Sequence, residues 1–302
     1  MTEPPHRTAS FSGERSGVFP CTWGQRDVWC EMERTGNPDH GNLVAGGFLP
    51  PGHTVDEVVA AVGELMRRYE SLRTQFFRAD DGQLVQRVLE SGEVDVEIVD
   101  VGPDVGETVQ RWAAEVQNQS YDLAEDLLFR ARIGLVDGAP LVIILGMPHM
   151  VVDFLGSRVL VDELRRILEG SPPAEPTGWQ PVEKAEQERS PQGQRVLRRA
   201  LDYWRWAVDV TPPAAFDNTR YEPGRPRYQR GCLSSRAIPG ALDQLAERYR
   251  VGTSHVLLAA MAVLLGRYTG LPSCLTRVVV GNRGKPELRN AVVTLTQETV
   301  AV

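Results

Sequence analysis

The stretch of this chain best suited to chemistry is Pro148-His149-Met150-Val151-Val152-Asp153-Phe154, a histidine with an aspartate four residues on. A histidine ring titrates near neutrality, so it can take up and return a proton at physiological pH. The stretch follows the unbroken apolar run Leu141-Val142-Ile143-Ile144-Leu145, the pattern of a strand buried on both faces. The end of such a strand is where sheets commonly present binding groups. From these residues alone, a histidine that satisfies a local carbonyl and does nothing more is the commoner outcome. Other chemistry has less support. Ser157 and Ser234 have no His and Asp at recognisable spacing, and no glycine-rich phosphate loop is present. Cys21, Cys30, Cys232 and Cys274 never fall as C-x-x-C, so they read as reduced thiols and not as a zinc site.

The elements that must position the histidine are legible from periodicity. Residues 25–34 read as a short helix and 42–49 as a strand ended by Pro50-Pro51-Gly52. Thr54 with Glu57 forms a capping box, and Val55, Val58, Val59, Val62, Leu65, Met66 and Tyr69 follow as one apolar stripe. Residues 72–77 and 84–88 form a hairpin around Asp81-Gly82, 94–99 a strand and 107–119 a helix. Strands 128–136 and 141–147 join at Asp137-Gly138, and an amphipathic helix spans 155–168. Residues 170–181, rich in Pro and Gly, make the best linker in the chain. Beyond it come helices at 192–208, 242–249 and 254–268, a proline-rich loop at 211–226, and strands at 277–280 and 292–302. This irregular alternation predicts an α+β protein of two lobes: 18–169, a linker at 170–191, and 192–302. Residues 1–17 are polar and read as a disordered lead-in.

Composition narrows the function classes. The 302 residues carry 42% hydrophobic and 24% charged side chains, with a net charge of −7, as in ordinary soluble globular proteins. The acidic balance argues against nucleic acid or anionic membrane as partners. The longest apolar run, 257–265, is too short to span a bilayer. A cytoplasmic protein is expected.

Several separate segments, in order, resemble the condensation domains of nonribosomal peptide synthetases, which carry an HHxxxDG motif after a buried strand. Pro148, His149, Asp153 and Phe154 occupy that motif, with Val159-Leu160-Val161-Asp162-Glu163-Leu164 behind it. Trp23-Gly24-Gln25-Arg26-Asp27-Val28-Trp29 resembles the family's opening segment, and Tyr69-Glu70-Ser71-Leu72-Arg73-Thr74-Gln75-Phe76 its HExLRTxF motif. Tyr121-Asp122-Leu123 with Leu128-Phe129-Arg130-Ala131-Arg132 is similar to its FDL…PLRAR segment. His255-Val256-Leu257-Leu258-Ala259-Ala260, Arg267-Tyr268-Thr269-Gly270 and Gly281-Asn282-Arg283…Pro286-Glu287-Leu288 match the start of the second lobe.

The resemblance implies two chloramphenicol-acetyltransferase-like lobes in a V, the first complete and the second partial, since family members continue well past the matched segments. It implies transfer of an acyl group from a carrier-bound thioester to an amine or hydroxyl acceptor. Substrates would arrive on the phosphopantetheine of peptidyl or acyl carrier proteins, with no cofactor bound by the chain itself. His149 would orient the acceptor or take its proton, and Asp153 would pair with Arg73 as a structural ion pair of the site. Two motif positions depart from the pattern. Pro148 replaces the first His and removes a backbone N–H. Phe154 replaces the Gly, where a side chain narrows the substrate tunnel or must point away. These departures keep open a non-catalytic docking domain for a carrier or tailoring enzyme, or an inactive truncated product. The partial second lobe adds the expectation of self-association or of a second chain that completes it.

Overall fold

The computed structural model describes residues 6–36, 41–102, 104–173, 178–211 and 232–302. Two compact units emerge: 1–194 with 280–297, and 195–279 with 298–302.

The first unit is a five-stranded mixed sheet between helices. The chain opens with β1 (His6–Ser12), β2 (Gly17–Pro20), α1 (Trp23–Thr35), β3 (Leu43–Phe48) and α2 (Val55–Arg68). A 3₁₀ turn at Glu70–Arg73 leads to β4 (Thr74–Arg78), β5 (Leu84–Val88), β6 (Ser91–Asp100) and α3 (Val105–Gln117). Then come β7 (Arg130–Val136), β8 (Ala139–Met147), α4 (Phe154–Leu168) and α5 (Pro181–Arg189). The strand order is β1-β6-β7-β8-β3, with β6 and β7 parallel and the other pairs antiparallel. A smaller sheet, β2-β5-β4, stands beside it.

Local chemistry explains the boundaries. Thr22 and Gln25 form a reciprocal capping box at the start of α1, and Thr54 and Glu57 do the same for α2. The β7–β8 turn places Asp137 and Gly138 at φ 51° and 77°, the left-handed geometry that the Asp-Gly pair admits. Strand β8 is buried on both faces, as its unbroken apolar run predicts. Ile143 and Leu145 join the main core with the α2 and α4 residues Val58, Val62, Leu65, Leu160 and Leu164, while Val142 and Ile144 pack with Trp112 and Val116 of α3.

The structure corrects three expectations. The lead-in is not disordered from His6 onward: β1 lies antiparallel to β6 at the sheet edge and buries Ala9 and Phe11. Two apolar residues are a faint signal, and the pairing itself comes from a strand far away in sequence. Next, the predicted linker is partly a docked helix. Gln180 accepts from the Glu70 N–H at 3.1 Å and donates to the Arg68 carbonyl at 2.9 Å. Glu183 pairs with Arg15 at 2.9 Å, and Glu188 accepts from the Trp23 N–H at 2.6 Å. Residues 174–177 of that linker, and 212–226 of the proline-rich loop, lie outside the described residues. Finally, 280–297 belongs to the first unit and not to a contiguous second lobe. Trp179 packs there with Leu288, Ala291, Val293 and Leu295, and a Cβ on Gly178 would meet the Ala291 nitrogen at 2.3 Å.

The second unit contains α6 (Pro191–Asp209), α7 (Ile238–Tyr249), α8 (Thr253–Thr269) and β9 (Thr276–Val280). Chain order continues with α9 (Pro286–Arg289), inside the 280–297 segment, and β10 (Gln297–Ala301), which pairs with β9. Within the predicted strand 292–302, only β10 is a strand. The preceding residues run as buried coil into the first unit.

Candidate active site around His149

The candidate site is the turn between β8 and α4. Met150, Val151 and Val152 are fully buried, and the Val151 N–H donates to the Pro148 carbonyl at 3.0 Å, which closes the turn. His149 between them is half-buried. Its carbonyl accepts from the Thr294 hydroxyl. Its ring lies against Gly41, where a Cβ would stand 3.5 Å from Cδ2 and where φ is 81°. The left-handed backbone favours glycine there, while the ring would meet a Cβ at ordinary contact distance. The ring Nδ1 is buried and has no hydrogen-bond partner among the described residues.

Asp153 is fully buried and caps α4, accepting from the Gly156 N–H at 2.8 Å. The same carboxylate accepts from Arg283 at 2.7 Å, from the Leu295 N–H at 3.0 Å, and from the Thr296 N–H and hydroxyl at 3.1 and 3.0 Å. Burial works against the charge, but the Arg283 guanidinium and these hydrogen bonds outweigh it and hold the carboxyl below its ordinary pKa. Both Asp153 oxygens are thus engaged in bracing the turn.

The partner of Asp153 is Arg283, which corrects the Arg73 pairing. Arg283 donates to the carbonyls of Leu288 and Ala291 at 2.9 and 2.7 Å and to Asp153, so one guanidinium ties the 280–297 segment to the motif turn. Arg73 is buried elsewhere. It donates to the carbonyls of Arg15, at 2.7 Å, and Leu89, and it fills the space left by Gly13, where a Cβ would lie 2.2 Å from its guanidinium carbon. Its Nη1 is thus committed to backbone carbonyls. Arg283 stood in the matched Gly281-Asn282-Arg283 segment, but nothing in that spacing assigned it a carboxylate. Thr294 carried no signal at all. A Cβ on Gly24 would come within 2.3 Å of the Thr294 carbonyl, so the opening Trp23-Gly24-Gln25 segment backs the strip that holds His149.

The two departures take definite positions. Pro148 is buried at the end of β8, where its missing N–H costs no strand pairing: β8 bonds end at Met147, opposite Leu43. Phe154 opens α4 and is 63% exposed, with Leu155 beside it at 41%. The benzyl group therefore projects out of the turn and does not fill the core behind it.

The condensation-domain family model matches residues 15–294. Phosphinothricin tripeptide synthetase PhsC of Streptomyces viridochromogenes is 26% identical over 91% of this chain, which spans 26% of that longer protein. Among solved structures, a condensation domain of the enacyloxin polyketide synthase superposes with a TM-score of 0.72 at 21% identity, over 96% of this chain and 58% of its own. The condensation domain of the monacolin K polyketide synthase MokA gives 0.74 at 15% identity, over 94% and 67%. These likenesses show the chloramphenicol-acetyltransferase-like α+β fold, and with the family match they establish that the chain belongs to the condensation-domain family.

Proposed function

We propose that this chain is a condensation-type acyltransferase of natural-product biosynthesis. It joins a carrier-bound acyl donor to an amine or hydroxyl acceptor. The observation that carries this reading is the half-buried His149, held on a turn that Asp153, Arg283 and Thr294 fix from behind. In the reaction the acceptor nitrogen or oxygen attacks the thioester carbonyl. A C–N or C–O bond forms, the C–S bond breaks, and the acceptor proton ends on the departing thiol. His149 orients the acceptor and carries that proton. Substrates come on the phosphopantetheine arms of peptidyl or acyl carrier proteins, so positioning supplies much of the acceleration. The relatives include a peptide synthetase, which supports the substrate class. Pro148 and Phe154 favour a second reading, a condensation-like domain that docks a carrier or tailoring enzyme without turnover.

The test is product formation, read by mass spectrometry, from an acyl-loaded carrier protein and an aminoacyl-loaded one. His149→Ala is expected to lower the rate by about 10²-fold or more. Unchanged turnover in that variant excludes the role given to His149, and carrier binding without any product favours the docking reading.

A further inference from the structure

A histidine that works on a proton is commonly oriented by a hydrogen bond at its other ring nitrogen. His149 takes no such orientation from Nδ1, which is buried and has no hydrogen-bond partner among the described residues. Its ties run through the backbone instead. The Val151 N–H donates to the Pro148 carbonyl at 3.0 Å, and the Thr294 hydroxyl donates to the His149 carbonyl. Thr294 is fully buried. Its side chain is branched at Cβ, which restricts χ1. The methyl Cγ2 faces Gly24 at the start of α1, 3.4 Å from the place of a Cβ on that glycine, and the Thr294 carbonyl lies closer still. With the methyl packed on Gly24, the hydroxyl is turned to His149.

The turn of α1 that bears Gly24 is itself clamped. Gln25 accepts from the Thr22 N–H at 2.8 Å and donates to the Gln86 side-chain oxygen at 3.3 Å, and Gln86 donates to the Pro20 carbonyl at 2.8 Å. Both glutamines are fully buried. The Trp23 N–H donates to Glu188 of α5 at 2.6 Å. A buried network of satisfied amides rigidifies the segment that carries it. We infer that Thr294 is a positioning residue for His149: its hydroxyl, set by Gly24 and backed by the Gln25–Gln86 pair, holds the His149 backbone and with it the ring. Thr294 lies 145 residues from His149 and outside the motif turn. The effect on rate rests on the acyltransferase reading given above, whereas the effect on the ring rests on these contacts alone.

The test combines magnetic resonance of the histidine rings with turnover of carrier-loaded substrates, both on the full chain and below the melting temperature of each variant. Histidine labelling gives the ring Cε1–H signals, and His149→Ala identifies the one that belongs to His149. Thr294→Val removes the hydroxyl at nearly unchanged volume. It should shift or split the His149 signal, leave the other histidines in place, and lower kcat at least about tenfold with KM within about twofold. Thr294→Ser keeps the donor and should return the signal to its place and kcat to within about threefold. Gly24→Ala keeps the hydroxyl but displaces the residue that carries it, so it should move the same signal. A His149 signal unmoved by Thr294→Val and Gly24→Ala overturns the inference. So does a Thr294→Ser variant that falls as far as Thr294→Val, which assigns the effect to packing, and so does a signal that moves while kcat holds in a protein that His149→Ala inactivates. If His149→Ala leaves turnover unchanged, the catalytic role of His149 fails, and the ring signal alone decides the inference.

Discussion

Replacing Asp153 by Ala is expected to be among the most costly changes in the first unit. The variant leaves the Arg283 guanidinium, 9% exposed, without its counter-ion, and it leaves the N–H groups of Leu295 and Thr296 without their acceptor. Stranding a buried charge costs about 3–5 kcal/mol. The α4 cap goes at the same time, worth about 1 kcal/mol, although the two losses share one carboxylate and do not add fully. A net loss of about 4 kcal/mol follows. Urea unfolding reads it as a lower midpoint at constant slope, and native-state exchange locates it at α4 and residues 291–296. Arg283→Met should cost less. The double variant should cost clearly less than the sum of the singles, because the charge is no longer stranded. Asp153→Ala with Arg73→Met should instead add to within about 0.5 kcal/mol, since the two side chains share no contact. The pH dependence has a defined sign. The Asp153 pKa is depressed in the fold, so its contribution is complete above the ordinary aspartate value of about 4 and disappears as pH falls through the lower folded value. A loss below about 1 kcal/mol, or a coupling found with Arg73 and absent with Arg283, would refute the assignment.

Gly24→Ala should destabilise by about 1–3 kcal/mol in a thermal melt, because its Cβ would meet the Thr294 carbonyl, which is backbone and has little room to yield. Glu188 gives a pH signature of opposite sign. Burial raises its carboxyl despite Lys184 and the Trp23 N–H, so ionisation costs stability as pH rises from the ordinary glutamate value of about 4 through the folded value. Melting temperature against pH should therefore fall less steeply over that window in Glu188→Gln than in the unchanged protein; identical profiles would contradict it. Limited proteolysis should cut first within residues 171–177 and spare 178–189, since α5 is docked through Gln180, Glu183 and Glu188. First cleavage inside α5 would show that this docking is weak.

Much of the first unit was legible because its signals are local. Capping boxes, the Asp137-Gly138 turn and the unbroken β8 run depend on residues within a few positions of one another, and they placed His149 at a strand end before any tertiary contact was known. The order of motif-like segments likewise pointed to the family that the match over residues 15–294 establishes. Strand β1 has no comparable local signal, because it is polar and owes its pairing to β6.

The amino-acid sequence by itself determined the helix and strand periods, the turn that carries His149 and the aspartate behind it. Only the tertiary structure decided which arginine serves that aspartate. Arg73 and Arg283 both sit in recognisable segments, and an ion pair is selected by distance, not by motif. The path of residues 280–297 across the turn brings Arg283 to 2.7 Å and Thr294 onto the His149 carbonyl, while the backbone of Arg15 and Leu89 takes up Arg73. A buried carboxylate is satisfied by whichever donors the chain path delivers, and that path is the sum of every long-range contact in the fold.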